Sequence, residues 1–153
     1  MTQNAVANIP VTYSRRVEKP WGYEIVFTPP ELPYTGKLLH VTGGRRLSLQ
    51  WHDEKTETVT LLSGVASLTL ENHRGDFEVI AMEPGVGYSV IVGRKHRLAA
   101  VTDAVVLEAS TPECGFTFRI SDDFGRPDEI TGSLAMGAGP LRPLGDQLNG
   151  SLT

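Results

Sequence analysis

The chain has 153 residues, 40% of them hydrophobic, which is the size of one domain with enough apolar side chains to bury a core. Its 14 lysines and arginines stand against 18 aspartates and glutamates, a net charge of -4, and no basic run exceeds three residues, which argues against a nucleic-acid surface and for a small-molecule partner. The single Cys114 cannot form an internal disulfide, and there is neither a signal sequence nor an apolar span of about 20 residues, so a soluble cytoplasmic protein without a membrane or nucleic-acid partner is expected.

Residues 1–14 begin without periodicity and read as a flexible arm. Short apolar alternations then recur at 23–27, 37–41, 47–52, 57–62, 65–71, 77–82, 88–92, 96–101, 104–109 and 116–120. Turn chemistry such as "NHRGD" and "EPGVG" separates them, and no window shows a helical period, so about ten short strands are predicted. This pattern is that of an all-β antiparallel sandwich or barrel. Residues 127–153, rich in Gly, Pro and small side chains, read as a tail.

In the third of these strands, "LSLQWHDEKTE", Leu47, Leu49 and Trp51 share one face and Ser48, Gln50 and His52 the other. A polar row opposite an apolar row ordinarily marks one solvated face. The spacing around it is more specific: Gly44, five residues, Gln50, one residue, His52, four residues, Glu57, six residues, Gly64. A second cluster runs Gly85, five residues, Ile91, one residue, Gly93, two residues, His96.

These two clusters resemble the two motifs of the cupin superfamily. The resemblance implies a single cupin jelly-roll barrel with one divalent metal inside, Gln50 standing at the first histidine position, His52 at the second, Glu57 at the glutamate and His96 at the last histidine. A histidine and a glutamate pointing into a barrel cost several kcal/mol if unpaired, and a metal compensates them. Two imidazoles, a carboxylate and an amide oxygen suit zinc first, with iron, manganese, cobalt or nickel as alternatives. The strings "KPWGYE", "LSLQWH", "RKHRL" and "DDFGR" further resemble the cupin domain that closes type II mannose-6-phosphate isomerases, over residues 15–126. Ile91, Ala100 and Lys55 depart from that pattern, the last standing where the family has arginine, and the nucleotidyltransferase domain that commonly precedes the family's cupin has no counterpart in the sequence.

The finer resemblance implies an aldose–ketose isomerase or epimerase of a phosphorylated or nucleotide-linked sugar, working as a homodimer. Such chemistry needs a base, for which Glu57, Asp123 and Lys37 are the candidates, an electrophile for the oxyanion and an anchor for the phosphate, supplied by Lys37 or Arg126. Arg126 reads equally well as a salt-bridge partner of Asp122 or Asp123, and Lys95 and Arg97 read as surface charges. Trp21 and Tyr23 read as aromatics that pack on the sheet edge rather than on a sugar. His40 and His73 read as non-ligands. Two other readings compete: a metal-dependent cupin oxygenase, lyase or decarboxylase acting on a small carboxylic acid, and a non-catalytic small-ligand-binding cupin.

Overall fold

The computed structural model of the protein describes residues 8–130. Twelve strands follow in chain order: β1 (Arg15–Lys19), β2 (Gly22–Val26), β3 (Thr35–Val41), β4 (Leu49–His52), β5 (Glu57–Ser63), β6 (Ala66–Glu71), β7 (Phe77–Ala81), β8 (Gly87–Val90), β9 (His96–Ala100), β10 (Ala104–Ser110), β11 (Phe116–Ser121) and β12 (Glu129–Ile130). They form two six-stranded antiparallel sheets, ordered β1-β2-β3-β10-β5-β8 and β12-β11-β4-β9-β6-β7. This is the jelly roll expected from the sequence. No helix among the described residues is long and apolar enough to cross a membrane.

The ten anticipated strands are all present, and two more edge strands join them. In β1, "RRVEK", Val17 is the sole apolar residue, so no alternation betrays it, and β12 is only two residues long. Glu129 and Ile130, which the sequence reading put in the tail, pair with Thr117 and Phe116. The rest of the expected arm and tail, residues 1–7 and 131–153, lies outside the described residues.

The core follows the period of two. Leu39 and Val41 on β3, Val59 and Leu61 on β5, and Ala104 and Val106 on β10 face Ala66, Leu68 and Leu70 on β6 and Leu98 and Ala100 on β9. Toward one end of four of these strands the inward row carries a charged or ionisable residue: Lys37 on β3, Glu57 on β5, Glu108 on β10 and His96 on β9, all buried. The registers align them, with Glu108 opposite Lys37 and Ser110 opposite Glu57. One end of the barrel is therefore hydrocarbon and the other is ionic.

Tight turns fix these registers. Gly64, between β5 and β6, has φ 84°, and a Cβ there would stand 2.1 Å from the Asp103 carbonyl oxygen. Only glycine permits both the left-handed conformation and that approach. Leu61, 1% exposed, and its neighbour Leu62, 49% exposed, sit on opposite faces of β5. Leu61→Ala is expected to lower unfolding free energy by about 2–5 kcal/mol, and Leu62→Ala by less than about 0.5 kcal/mol. Denaturant unfolding of the two variants checks this assignment of faces.

Candidate metal centre

β4 carries its polar row inward. Ser48 and His52 are buried, whereas Trp51 turns outward and stacks on Phe118 of β11 with ring centroids 4.2 Å apart and planes at 13°. The polar face of this strand is thus the barrel interior and not a solvated surface. Leu47, just before the strand, breaks the alternation and packs against the core.

Across the barrel from His52 and His96 comes Glu57. Its Oε1 lies 3.1 Å from His96 Nε2 and its Oε2 lies 3.7 Å from His52 Nε2. Donor atoms of the three residues all fall within 4.8 Å of one another. Donors held at about 2.1 Å from one ion stand roughly 3–4 Å apart, so the spacing fits a single divalent cation.

The tautomers point the same way. His96 Nδ1 is 3.0 Å from the Arg94 carbonyl oxygen, which can only accept, so Nδ1 carries the proton and Nε2 presents a lone pair. His52 Nδ1 is 3.0 Å from Thr117 Oγ1. Both Nε2 atoms are buried without a hydrogen-bond partner. A lone pair of His96 facing a carboxylate repels it unless a cation stands between them, and the outer hydrogen bond on each ring is the usual support of a metal-bound histidine. Burial, with the Lys55 ammonium nearby, outweighs the opposing pull of the Glu57 carboxylate and lowers the pKa of His52 to about 4, which keeps its ring neutral and available to a metal.

Gln50 is the cross-strand partner of His96. Its Oε1 accepts a hydrogen bond of 2.6 Å from Ser48 Oγ and keeps a second lone pair. With Glu57, His96 and Glu108 it lines a void of about 30 Å³, the room of about one water-sized species.

Beside the cluster lies an ionic network that the sequence reading did not assemble. Lys55 Nζ is 3.0 Å from Glu57 Oε2, 3.1 Å from Glu108 Oε2 and 3.3 Å from Glu113 Oε1. Lys37 Nζ pairs closely with Glu113 and lies 3.6 Å from Glu24 and 4.0 Å from Glu108. Burial opposes charge on Glu57, but the Lys55 ammonium holds its carboxyl well below the usual range. At Glu108 burial wins over Lys55 and Lys37 and pushes the carboxyl up to about 7. At Glu113 burial loses to the same two lysines and the carboxyl falls to about 2. The visible signal was parity: Glu108 shares the inward row of Ala104 and Val106, as Glu24 shares that of Val26.

A cavity of about 430 Å³ adjoins the centre, with His52, Gln50, Lys37, Lys55 and Glu108 among its lining. It extends out to the edge strands, reaching Arg15 on β1 and Ile130 on β12. Trp21 is buried in its wall, while Tyr23 stacks on His40 outside it under the Arg16 guanidinium. Arg126 lines the cavity and forks onto Asp122 at 2.7 to 3.2 Å. Asp123 is elsewhere: it is exposed and held by Arg46 at 2.8 and 3.0 Å, away from the cavity lining. Lys95 pairs with Glu71 at 2.6 Å, Arg97 donates to the Ser121 carbonyl oxygen, and His73 is exposed in the β6–β7 turn.

Neither a family model nor a curated protein sequence matches the chain. Solved structures do share its fold. A Bacillus subtilis oxalate decarboxylase superposes with TM-score 0.56 at 21% identity, covering 72% of this chain and 30% of that one. A Lactobacillus farciminis oxalate decarboxylase in complex with formate gives 0.60 at 16% identity, covering 72% and 34%. The capsular polysaccharide assembling protein CapF of Staphylococcus aureus gives 0.53 at 15% identity, covering 77% and 32%. The chain spans about a third of the length of each. At these identities the likeness establishes the antiparallel jelly roll alone, and the resemblance to cupins and to mannose-6-phosphate isomerases rests on the sequence motifs.

His52→Ala and His96→Ala are each expected to weaken binding of a divalent ion by a few kcal/mol, on the order of 100-fold or more. Thr117→Val, which removes only the partner of His52 Nδ1, is expected to cost roughly 10- to 100-fold. Elemental analysis of the variants after dialysis against metal buffers reads both effects. Glu108 supplies a separate expectation in metal-free protein. Its folded pKa lies above the unfolded value, so the stability it contributes is complete below about pH 4.5 and is lost as pH rises through about 7. Wild-type stability measured against Glu108→Gln is expected to decline by a few kcal/mol over that window, which urea unfolding at pH 5 and pH 8 measures.

Proposed function

We propose that the protein is a metal-dependent isomerase or epimerase of a phosphorylated or nucleotide-linked sugar. The observation that carries this reading is the cavity beside the His52, Glu57 and His96 cluster. Its volume of about 430 Å³ lies in the range of small-molecule sites and exceeds what a two-carbon dicarboxylate fills. Its lining is ionic: Lys37 and Lys55 are spent on the glutamates beside them, and Arg15 and Arg126 offer positive charge to an anionic substrate.

His52, Glu57 and His96 would hold the metal, with Gln50 as the fourth protein ligand. A divalent ion bound there supplies an electrophile that stabilises developing oxygen charge. The remaining work falls to the chain. Glu108, buried and with its carboxyl near neutrality, takes the proton from one carbon and returns it to the next, the task for which a carboxylate of raised pKa is suited. Lys37 and Lys55 offset the negative charge that builds up around it. Arg126 spends Nε and Nη2 on Asp122 and offers its remaining amino group, Nη1, to the phosphate, with Arg15 at the outer edge of the cavity. Trp21 and Leu47 give the cavity its apolar wall. Asp123, held outside by Arg46, takes no part as the base.

A panel of aldose phosphates and nucleotide sugars turned over in heavy water tests this reading. Carbon-bound deuterium is expected in the product, because a carboxylate base exchanges its proton with solvent. Glu108→Gln is expected to lower kcat by about 10²- to 10⁴-fold with the metal retained. Release of carbon dioxide from oxalate or another small dicarboxylic acid, with no sugar turned over, would replace the isomerase by the decarboxylase reading.

A further inference from the structure

Glu57 faces two ways. Its Oε1 looks toward His96 Nε2 at 3.1 Å, and its Oε2 meets Lys55 Nζ at 3.0 Å. Facing the group from the other sheet stand His96 Nε2 and, 3.7 Å from Oε2, His52 Nε2, both buried and without a hydrogen-bond partner. The Lys55 ammonium itself is held by carboxylates: Glu57, Glu108 and Glu113 converge on it at 3.0 to 3.3 Å. Three donors on that ammonium match three carboxylate acceptors, and the side chain is 4% exposed.

This is the ligand plan of a two-metal centre, in which one carboxylate bridges two cation positions about 3.5–4 Å apart. A nitrogen-rich position and an oxygen-only position share Glu57, and the second is filled by a cation that is part of the chain. We infer that Lys55 is the residue that keeps this centre mononuclear: its ammonium occupies the place a second divalent ion would take. The inference rests on the metal reading of His52, Glu57 and His96.

The consequence for chemistry is direct. An ammonium neutralises Glu108 and Glu113 without coordinating them, so Glu108 stays available to carry a proton. A second metal would turn it into a ligand. Hard ions with an oxygen preference, magnesium, calcium or manganese, suit the three-carboxylate position.

The test is stoichiometry with Mn²⁺ alone, by elemental analysis of the folded fraction after gel filtration and by electron paramagnetic resonance. The wild type and Lys55→Arg, which keeps the charge, are expected to hold one ion per chain. Lys55→Gln and Lys55→Met, refolded in Mn²⁺, are expected to hold two, with the spin-coupled spectrum of a bridged pair. The double variant Lys55→Gln with Glu113→Gln is expected to return to one. A single ion in both Lys55→Gln and Lys55→Met overturns the inference while leaving the metal centre intact. So does failure of both to fold with Mn²⁺ present, because the inference has a divalent ion replacing the ammonium. No ion on the wild type overturns the metal reading itself, and the inference with it.

Discussion

A carboxylate buried in a barrel must be neutralised, and the interior of this protein is organised around that demand at Glu57. Isolated in a low-dielectric interior, the charged side chain would cost many kcal/mol. It remains ionised because the Lys55 ammonium stands against one oxygen, while the imidazoles of the other sheet face it across the place a metal ion would take. Lys55 in turn is too deeply buried to be charged alone, and it is held by Glu108 and Glu113, which Lys37 shares. Each buried charge is the compensation of the next, so the cluster stands as a unit. Removal of Lys55 or Lys37 leaves uncompensated carboxylates, which is the costly event at such sites.

The jelly roll makes this arrangement possible by dividing its interior lengthwise. The same inward rows that carry Leu39, Val59, Val106 and Leu98 in the hydrocarbon half carry Lys37, Glu57, Glu108 and His96 in the ionic half. The close-packed half fixes the strand registers, and the registers fix where the charged groups meet. Because Glu57 belongs to one sheet and the two histidines to the other, the centre also ties the sheets together at the end where hydrocarbon is scarce. The cavity extends from there to the edge strands β1 and β12, which gives a ligand a way in without disturbing the core.

Much of this was legible in the sequence. The strand count, the turn glycines and the Gln50, His52, Glu57 and His96 spacing announced the barrel and its ionisable cluster before any coordinates. What the period of two could not say was which face of β4 is inside, because a polar row against Leu49 and Trp51 reads as a solvated face. Trp51 proves to be an outer-face aromatic stacked on Phe118. Lys55 lies between strands, where no period applies, and its role depends on β10 and on the segment after it. Glu108 and Glu24 did carry a signal, a charge on a core-parity position, but their partners lie far away along the chain. Asp123 shows the opposite limit: "DDFGR" holds two adjacent aspartates, and only the fold sends one to Arg126 and the other to Arg46.

The ionic half of the barrel turns on whether His52 and His96 converge with Glu57 on one divalent ion. X-ray absorption at the metal edge of the purified, metal-loaded protein addresses it most directly, since it reads the ligands without reference to activity. The expected result is a first shell of nitrogen and oxygen only, near 2.0–2.2 Å for zinc, with the outer-shell scattering of about two imidazoles. A sulfur scatterer, which could only come from Cys114 or a methionine, or a shell with no imidazole contribution, would contradict it.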